Sequence, residues 1–230
     1  MTEDTRRTPE RPEQVETHRL HPVQAVRSLL GRTPGPALEW AEAATGSETA
    51  HPADLDDGEP HLSVERTFLF ADLSGFTAYT RVNGPHIAVQ LLAEFRKTAR
   101  NVAAKRGVRV AKWLGDGVMF VSVDEAPAVA LGAHLVHAFR ESGIGVRVGL
   151  ASGTALLFEG DDYIGEPVNL AAKLCAAARP GEILAVCSQD ALPEWVEASG
   201  DVDVEIGGIG LIGGIQRLTP MDLESQISNA

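Results

Sequence analysis

A chain of 230 residues can hold one well-filled core plus an appendage, and its 44% apolar and 23% charged content is ordinary for a globular protein. A formal net charge of −12 excludes nucleic acid as the expected partner, while leaving room for a small phosphorylated ligand whose charge is balanced by metal ions. The two cysteines, Cys175 and Cys187, form neither a CxxC pair nor a disulfide framework and read as small core residues. No charged-then-apolar leader opens the chain and no apolar run approaches the roughly 18 residues of a membrane span. No membrane partner and a cytoplasmic location are therefore expected.

Residues 1–62 hold seven of the thirteen prolines together with many Glu, Thr and Arg. Such a stretch buries too little apolar surface to offset chain entropy, so it reads as a largely disordered tail. VQAVRSLL (23–30) within it predicts a short helix, and Trp40 in ALEWAEAA a second anchor. From residue 63 to residue 220 the text is strongly patterned, and 221–230 reads as a second tail. RTFLFADL predicts a buried strand. PHIAVQLLAEFRKTARNVAAK follows, with Ile87, Leu91, Phe95 and Val102 at helical spacing. VRVAKWL and VMFVSV flank Gly115-Asp116-Gly117, a hairpin signal. EAPAVALGAHLVHAFRE predicts a second helix, and GVRVGLASGTALLF a strand turning at Ser152-Gly153. EPVNLAAKLCAAA predicts a third helix, with Pro167 tolerated in its first turn. EILAV and the stretch Val202 to Leu218 supply further strands. The order predicts an α+β fold: a ferredoxin-like βαββαβ core, a mainly antiparallel sheet and added C-terminal strands. That plan serves several functions and decides none.

Chemistry concentrates at three places. Asp72 ends the first strand and runs into Leu-Ser-Gly-Phe-Thr, where Gly75 lets backbone N–H groups turn toward one point, an arrangement that suits phosphate. Asp116 sits in the tight hairpin. In this fold plan the first strand and that hairpin lie side by side, so two carboxylates share one small site and repel unless cations lie between them. Oxygen ligands without His or Cys suit Mg²⁺ or Mn²⁺.

FLFADLSGFTAYT resembles the first-strand motif of class III adenylate and guanylate cyclases, VAKWLGDGVMFV their second-metal hairpin, and DDYIGEPVNLAAKL the segment that reads the base and steadies the transition state. The three occur in family order across about residues 64–219, and together they are specific to the catalytic domain of bacterial adenylate cyclase type. The resemblance implies that Asp72 and Asp116 hold two metal ions per site. It makes Lys112 and Asp162 the pair that selects adenine, with neighbouring Asp161 open as an alternative. Asn169 would position the ribose, Lys173 would face the α-phosphate, and Gly75, Phe76 and Thr77 would bind substrate. It also implies ATP as substrate and a homodimer whose sites draw on both protomers. The selectivity pair makes physical sense, because an ammonium donates to the acceptor N1 of adenine and a carboxylate accepts from its exocyclic amine.

Two departures stand out. The family usually has arginine at Lys173, whose planar fork an ammonium lacks. It also holds the triphosphate with a lysine near the last strands. Here Gly181 to Ala230 carries one basic residue, Arg217, against nine acidic ones. Either Arg217 substitutes or the grip on the pyrophosphate is weak. The pairs His18/His21 and His134/His137 lack a third ligand and read as surface or core histidines. GGIGLIGG opens no helix and fails as a dinucleotide fingerprint. The expected function is an adenylate cyclase. A non-catalytic cyclase-like module is the alternative, and a diguanylate cyclase or polymerase palm shares the plan but not the motifs.

Overall fold

The computed structural model describes residues 62–158, 162–206 and 210–221. The expected tail helix, Trp40, His18, His21 and Asp161 lie outside the described residues. The fold is organised by strand β1 (Leu62–Leu73), whose residues Thr67 to Leu73 are all buried. Its apolar run is nearly continuous because both faces are covered. Leu69, Ala71 and Leu73 face one core and Phe68 and Phe70 the other.

After β1 comes a helix that periodicity does not reveal, α1 (Phe76–Asn83), which buries none of its residues fully. Helix α2 (Pro85–Lys105) follows and buries Ala88, Leu91, Phe95, Ala99, Val102 and Ala103. Ile87 is expected on that stripe but is 45% exposed, because the buried stripe enters the first turn of α2 through its neighbour Ala88. Strands β2 (Arg109–Leu114) and β3 (Gly117–Ser122) form the expected hairpin, with Gly115 at φ 64° in its two-residue turn. Helix α3 (Glu125–Ala138) packs with α2 on the Leu69 side of the sheet.

Strand β4 (Val146–Phe158) pairs with β1 without interruption, from Leu73 opposite Val146 to Leu62 opposite Leu157. The turn expected at Ser152-Gly153 is therefore absent; Thr67 stays opposite Ser152, and their hydroxyls lie 3.0 Å apart. A ladder this long outweighs the local preference of Ser-Gly for a turn. A short strand β5 (Asp162–Ile164) pairs with β4 and leads into α4 (Glu166–Ala177), which covers the Phe68 side of the sheet. Strand β6 (Ile183–Val186) runs parallel to β4, and β7 (Val196–Ile206) and β8 (Gly210–Pro220) complete the sheet, β7 starting six residues before the Val202 expected.

The sheet order is β2-β3-β1-β4-β6-β8-β7, with β5 on β4. Its first four strands give the ferredoxin-like arrangement and the rest are the added C-terminal strands, so the fold class is as expected. Cys175 is buried and Cys187 partly so, both as free thiols. Gly149 sets how closely α4 approaches: a Cβ there would lie 2.1 Å from Cys175 N and 2.2 Å from Ala171 O. Among the described residues no helix is long and apolar enough to cross a membrane.

Candidate active site

Asp72 is the penultimate residue of β1 and stands opposite Gly117 of β3 and Arg147 of β4. The hairpin turn holds Asp116 beside it, through a hydrogen bond from Leu73 N to Asp116 O of 3.4 Å. The two carboxylates thus share one end of the sheet. Asp72 is only 3% exposed. Its Oδ2 accepts from Arg147 Nη2 at 2.6 Å and Nε at 2.8 Å, while Oδ1 is buried with no hydrogen-bond partner. Burial pushes the Asp72 carboxyl up to about 6, outweighing the hydrogen bond and charge of Arg147, which lower it; Asp116 raises it further. Asp116 is also raised, again chiefly by burial. Arg147 is anchored in turn by donating from Nη1 to Ala176 O at 3.0 Å. A small recess lies against Asp72 and Arg147, lined also by Phe70, Ala71, Ala172, Cys175 and Ala176.

Lys112 and Asp162 meet although fifty residues separate them. Lys112 Nζ lies 2.6 Å from Asp162 Oδ1, on side chains 33% and 22% exposed. This pair lies on the same face of the sheet as Asp72, since Lys112 stands opposite Met119, whose side chain joins the core under α4. Asn169 and Lys173 are half-buried and one turn apart on α4, whose other residues turn Leu170, Ala171, Leu174 and Cys175 to the sheet. Burial lowers the Lys173 pKa from its ordinary value. Gly75 takes φ 74° as the residue before α1, and no side chain caps the first turn containing Phe76 and Thr77. Their N–H groups thus have no intrahelical partner.

No family model matches the chain. It is 44% identical over 141 residues to an uncharacterized protein of Mycobacterium tuberculosis, a match covering 60% of this chain and 37% of that protein. It is 37% identical over 134 residues to an adenylate cyclase of Streptomyces coelicolor, covering 56% of this chain and 35% of that enzyme. Among solved structures it resembles the adenylyl cyclase CyaB from P. aeruginosa, with TM-score 0.54 and 24% identity over 71% of this chain and 97% of that one, a likeness of fold. In sequence and in fold the described part of the chain is similar to class III cyclase homology domains. It matches little more than a third of the length of these curated relatives.

Within this domain the expected residues fall into separate groups. Asp72 joins Asp116, and Lys112 joins Asp162. Among the described residues no hydrogen bond or ion pair links the two groups, or links either to Asn169 or Lys173. No cluster of three or more His, Cys, Asp or Glu able to hold a metal occurs among the described residues. The carboxylate pair nevertheless suits hard divalent cations: Asp116 is close enough to Asp72 to raise its pKa, and Asp72 Oδ1 is buried and unpartnered. Arg217 is tied to Glu182, its guanidinium Nε donating to Oε1. Sequence reading missed Arg147. Its role depends on β4 pairing with β1 in a register that brings residues 75 apart face to face, which no local pattern announces.

Proposed function

We propose that the chain is an adenylate cyclase converting ATP to 3′,5′-cyclic AMP and pyrophosphate in a homodimer, with residues 63–220 as its catalytic unit between the tails 1–62 and 221–230. The observation that carries this is the carboxylate pair at one sheet end, with a buried, unpartnered Asp72 Oδ1 beside Asp116. Two Mg²⁺ or Mn²⁺ ions held by Asp72 and Asp116 would neutralise the triphosphate and acidify the ribose 3′-hydroxyl. Lys112 donates to adenine N1 and Asp162 accepts from its amine. Asn169 positions the ribose, Lys173 faces the α-phosphate as a point charge, and the turn at Gly75, Phe76 and Thr77 offers backbone donors. Arg147 places a guanidinium at Asp72, where it would also meet phosphoryl oxygens of a bound triphosphate. The 3′-oxygen attacks the α-phosphorus in line and pyrophosphate leaves, so the protein contributes positioning and charge. The resemblance to class III cyclases supports sites shared between protomers, the carboxylates from one and the other set from its partner.

A second reading is a cyclase-like module that binds nucleotide without turnover. The engagement of Arg217 by Glu182, together with Lys173, favours it, because both leave the phosphates short of charged donors. Purified full-length chain with ATP and Mn²⁺, assayed for cyclic AMP, separates the two. Turnover lost in Asp72→Ala and in Asp116→Ala supports the enzyme. Absence of cyclic AMP from wild type at saturating metal and ATP supports the module, and near-wild-type turnover in either mutant removes the metal assignment.

A further inference from the structure

Strand β5 has three residues and pairs on one side only, with β4. Yet its Asp162 must be held to a hydrogen-bond distance from Lys112 on β2, which lies at the far edge of the sheet. A three-residue edge strand has little rigidity of its own. Beside the Lys112–Asp162 pair runs a second link between the same two strands. Arg109 Nη2 donates to Tyr163 Oη at 3.4 Å, and the guanidinium lies 5.5 Å from the centre of the Tyr163 ring. That ring packs edge-on against Phe68 of β1 at 5.4 Å and is 9% exposed. The charged end of Arg109 thus rests on a ring that is fixed to the central strand.

A backbone irregularity makes this link possible. In a regular strand, residues three apart point to opposite faces. The ladder between β2 and β3 shifts between Val110 and Lys112, so Arg109 stands opposite Val121 and Lys112 opposite Met119. Val121 and Met119 are two apart and face the same way, and Arg109 and Lys112 therefore do too. Without the bulge one of them would be carried to the α2 side of the sheet.

We propose that Arg109 and Tyr163 are positioning residues that clamp β5 to β2 and so set the alignment of Asp162 and Lys112 on which preference for adenine over guanine depends. The inference rests on the base-reading part of the proposed function, but not on turnover. Tyr163 and Arg109 touch Asp162 and Lys112 through the backbone of their strands and act on the base only through them.

The test measures equilibrium binding of 3′-deoxy-ATP and 3′-deoxy-GTP with Mn²⁺, which cannot cyclise, alongside KM and kcat for ATP and GTP. Arg109→Met removes the guanidinium from a side chain at the surface and should leave folding intact. It should cut the adenine-to-guanine binding ratio about tenfold, the effect of misplacing one matched polar contact. The KM for ATP should rise by a similar factor with kcat within about twofold. Arg109→Lys, which keeps a cation over the ring, should recover part of the ratio, and Tyr163→Phe, which keeps the ring and loses the acceptor, should fall between. A ratio unchanged within about twofold in Arg109→Met overturns the clamp. So does an equal weakening toward both nucleotides, the mark of a purely structural role. Wild type without adenine preference overturns both the clamp and the base-reading assignment. Wild type that prefers adenine but makes no cyclic AMP removes only the catalytic reading, and the ratio in the variants still judges the clamp.

Discussion

Gly149→Ala should be among the most damaging small substitutions in the domain. An ideal Cβ at that position lies 2.1 Å from Cys175 N, 2.2 Å from Ala171 O and 2.8 Å from Cys175 Cα, all backbone atoms of α4. Ordinary contact begins at 3.4 Å, so α4 must retreat by more than an ångström or β4 must buckle. Neither can be absorbed by rotating a side chain. The helix buries Val168, Leu170, Ala171, Leu174 and Cys175 at that seam. Overpacking typically costs 1–3 kcal/mol, and a clash with backbone belongs at about 3 kcal/mol or above. For a domain of this size that corresponds to a melting temperature lower by roughly 6–12 °C. Gly132→Ala is the control. There the Cβ meets only the Leu69 and Val148 side chains at 3.1 Å, which can give by a few tenths of an ångström. Thermal denaturation followed by circular dichroism measures both. A melting temperature for Gly149→Ala within about 2 °C of wild type would refute the reasoning that α4 is held by backbone contact.

Mixing Asp72→Ala with Asn169→Ala protein should restore cyclic AMP formation, one intact site per heterodimer, if each site draws on both protomers; a verified heterodimer that stays inactive would place each site within one chain. Lys173→Arg should raise kcat with little change in KM, because a guanidinium fork bridges phosphoryl oxygens that an ammonium meets singly; an unchanged or lower kcat in a folded dimer would show a pocket shaped for lysine. His134 gives a pH-dependent stability. Burial and the charges of Arg106, His137 and Lys105 hold its pKa down to about 4 from 6.5, and its Nδ1 is buried without a partner. The folded state thus refuses a proton that the unfolded chain accepts, so stability falls as pH drops from about 6.5 toward about 4. Denaturant midpoints at pH 7 and pH 5 should converge in His134→Leu, and an equally steep loss in that variant would exonerate His134.

Elements with a strong apolar period were legible in the text: β1, α2, the hairpin, α3, α4 and β6. Helix α1 was not, because FTAYTRVN buries no residue fully and so leaves no stripe to read. The Ser152-Gly153 turn was over-read from residue preference, and pairing with a twelve-residue partner strand overrode it. Motif reading points to Asp72 with Asp116 and to Lys112 with Asp162, and the fold brings Lys112 and Asp162 into contact. It could not find Arg147, Arg109 or Tyr163, whose contacts arise from strand register and from a bulge. Whether Arg217 substitutes for the triphosphate lysine or the grip is weak turns on that side chain's engagement, and Glu182 engages it.

Strand β1 carries Phe68, the floor beneath Tyr163, and Asp72, four residues later. An extended strand rises about 3.3 Å per residue, which sets these points about 13 Å apart along a covalent rod with both faces sealed. In a homodimer of the proposed kind, Phe68 would underlie one reaction centre and Asp72 would belong to the other. The spacing of the two centres would then be fixed by peptide geometry rather than by packing between subunits. A substitution in the middle of that rod, at Phe70, could not be felt by one centre alone.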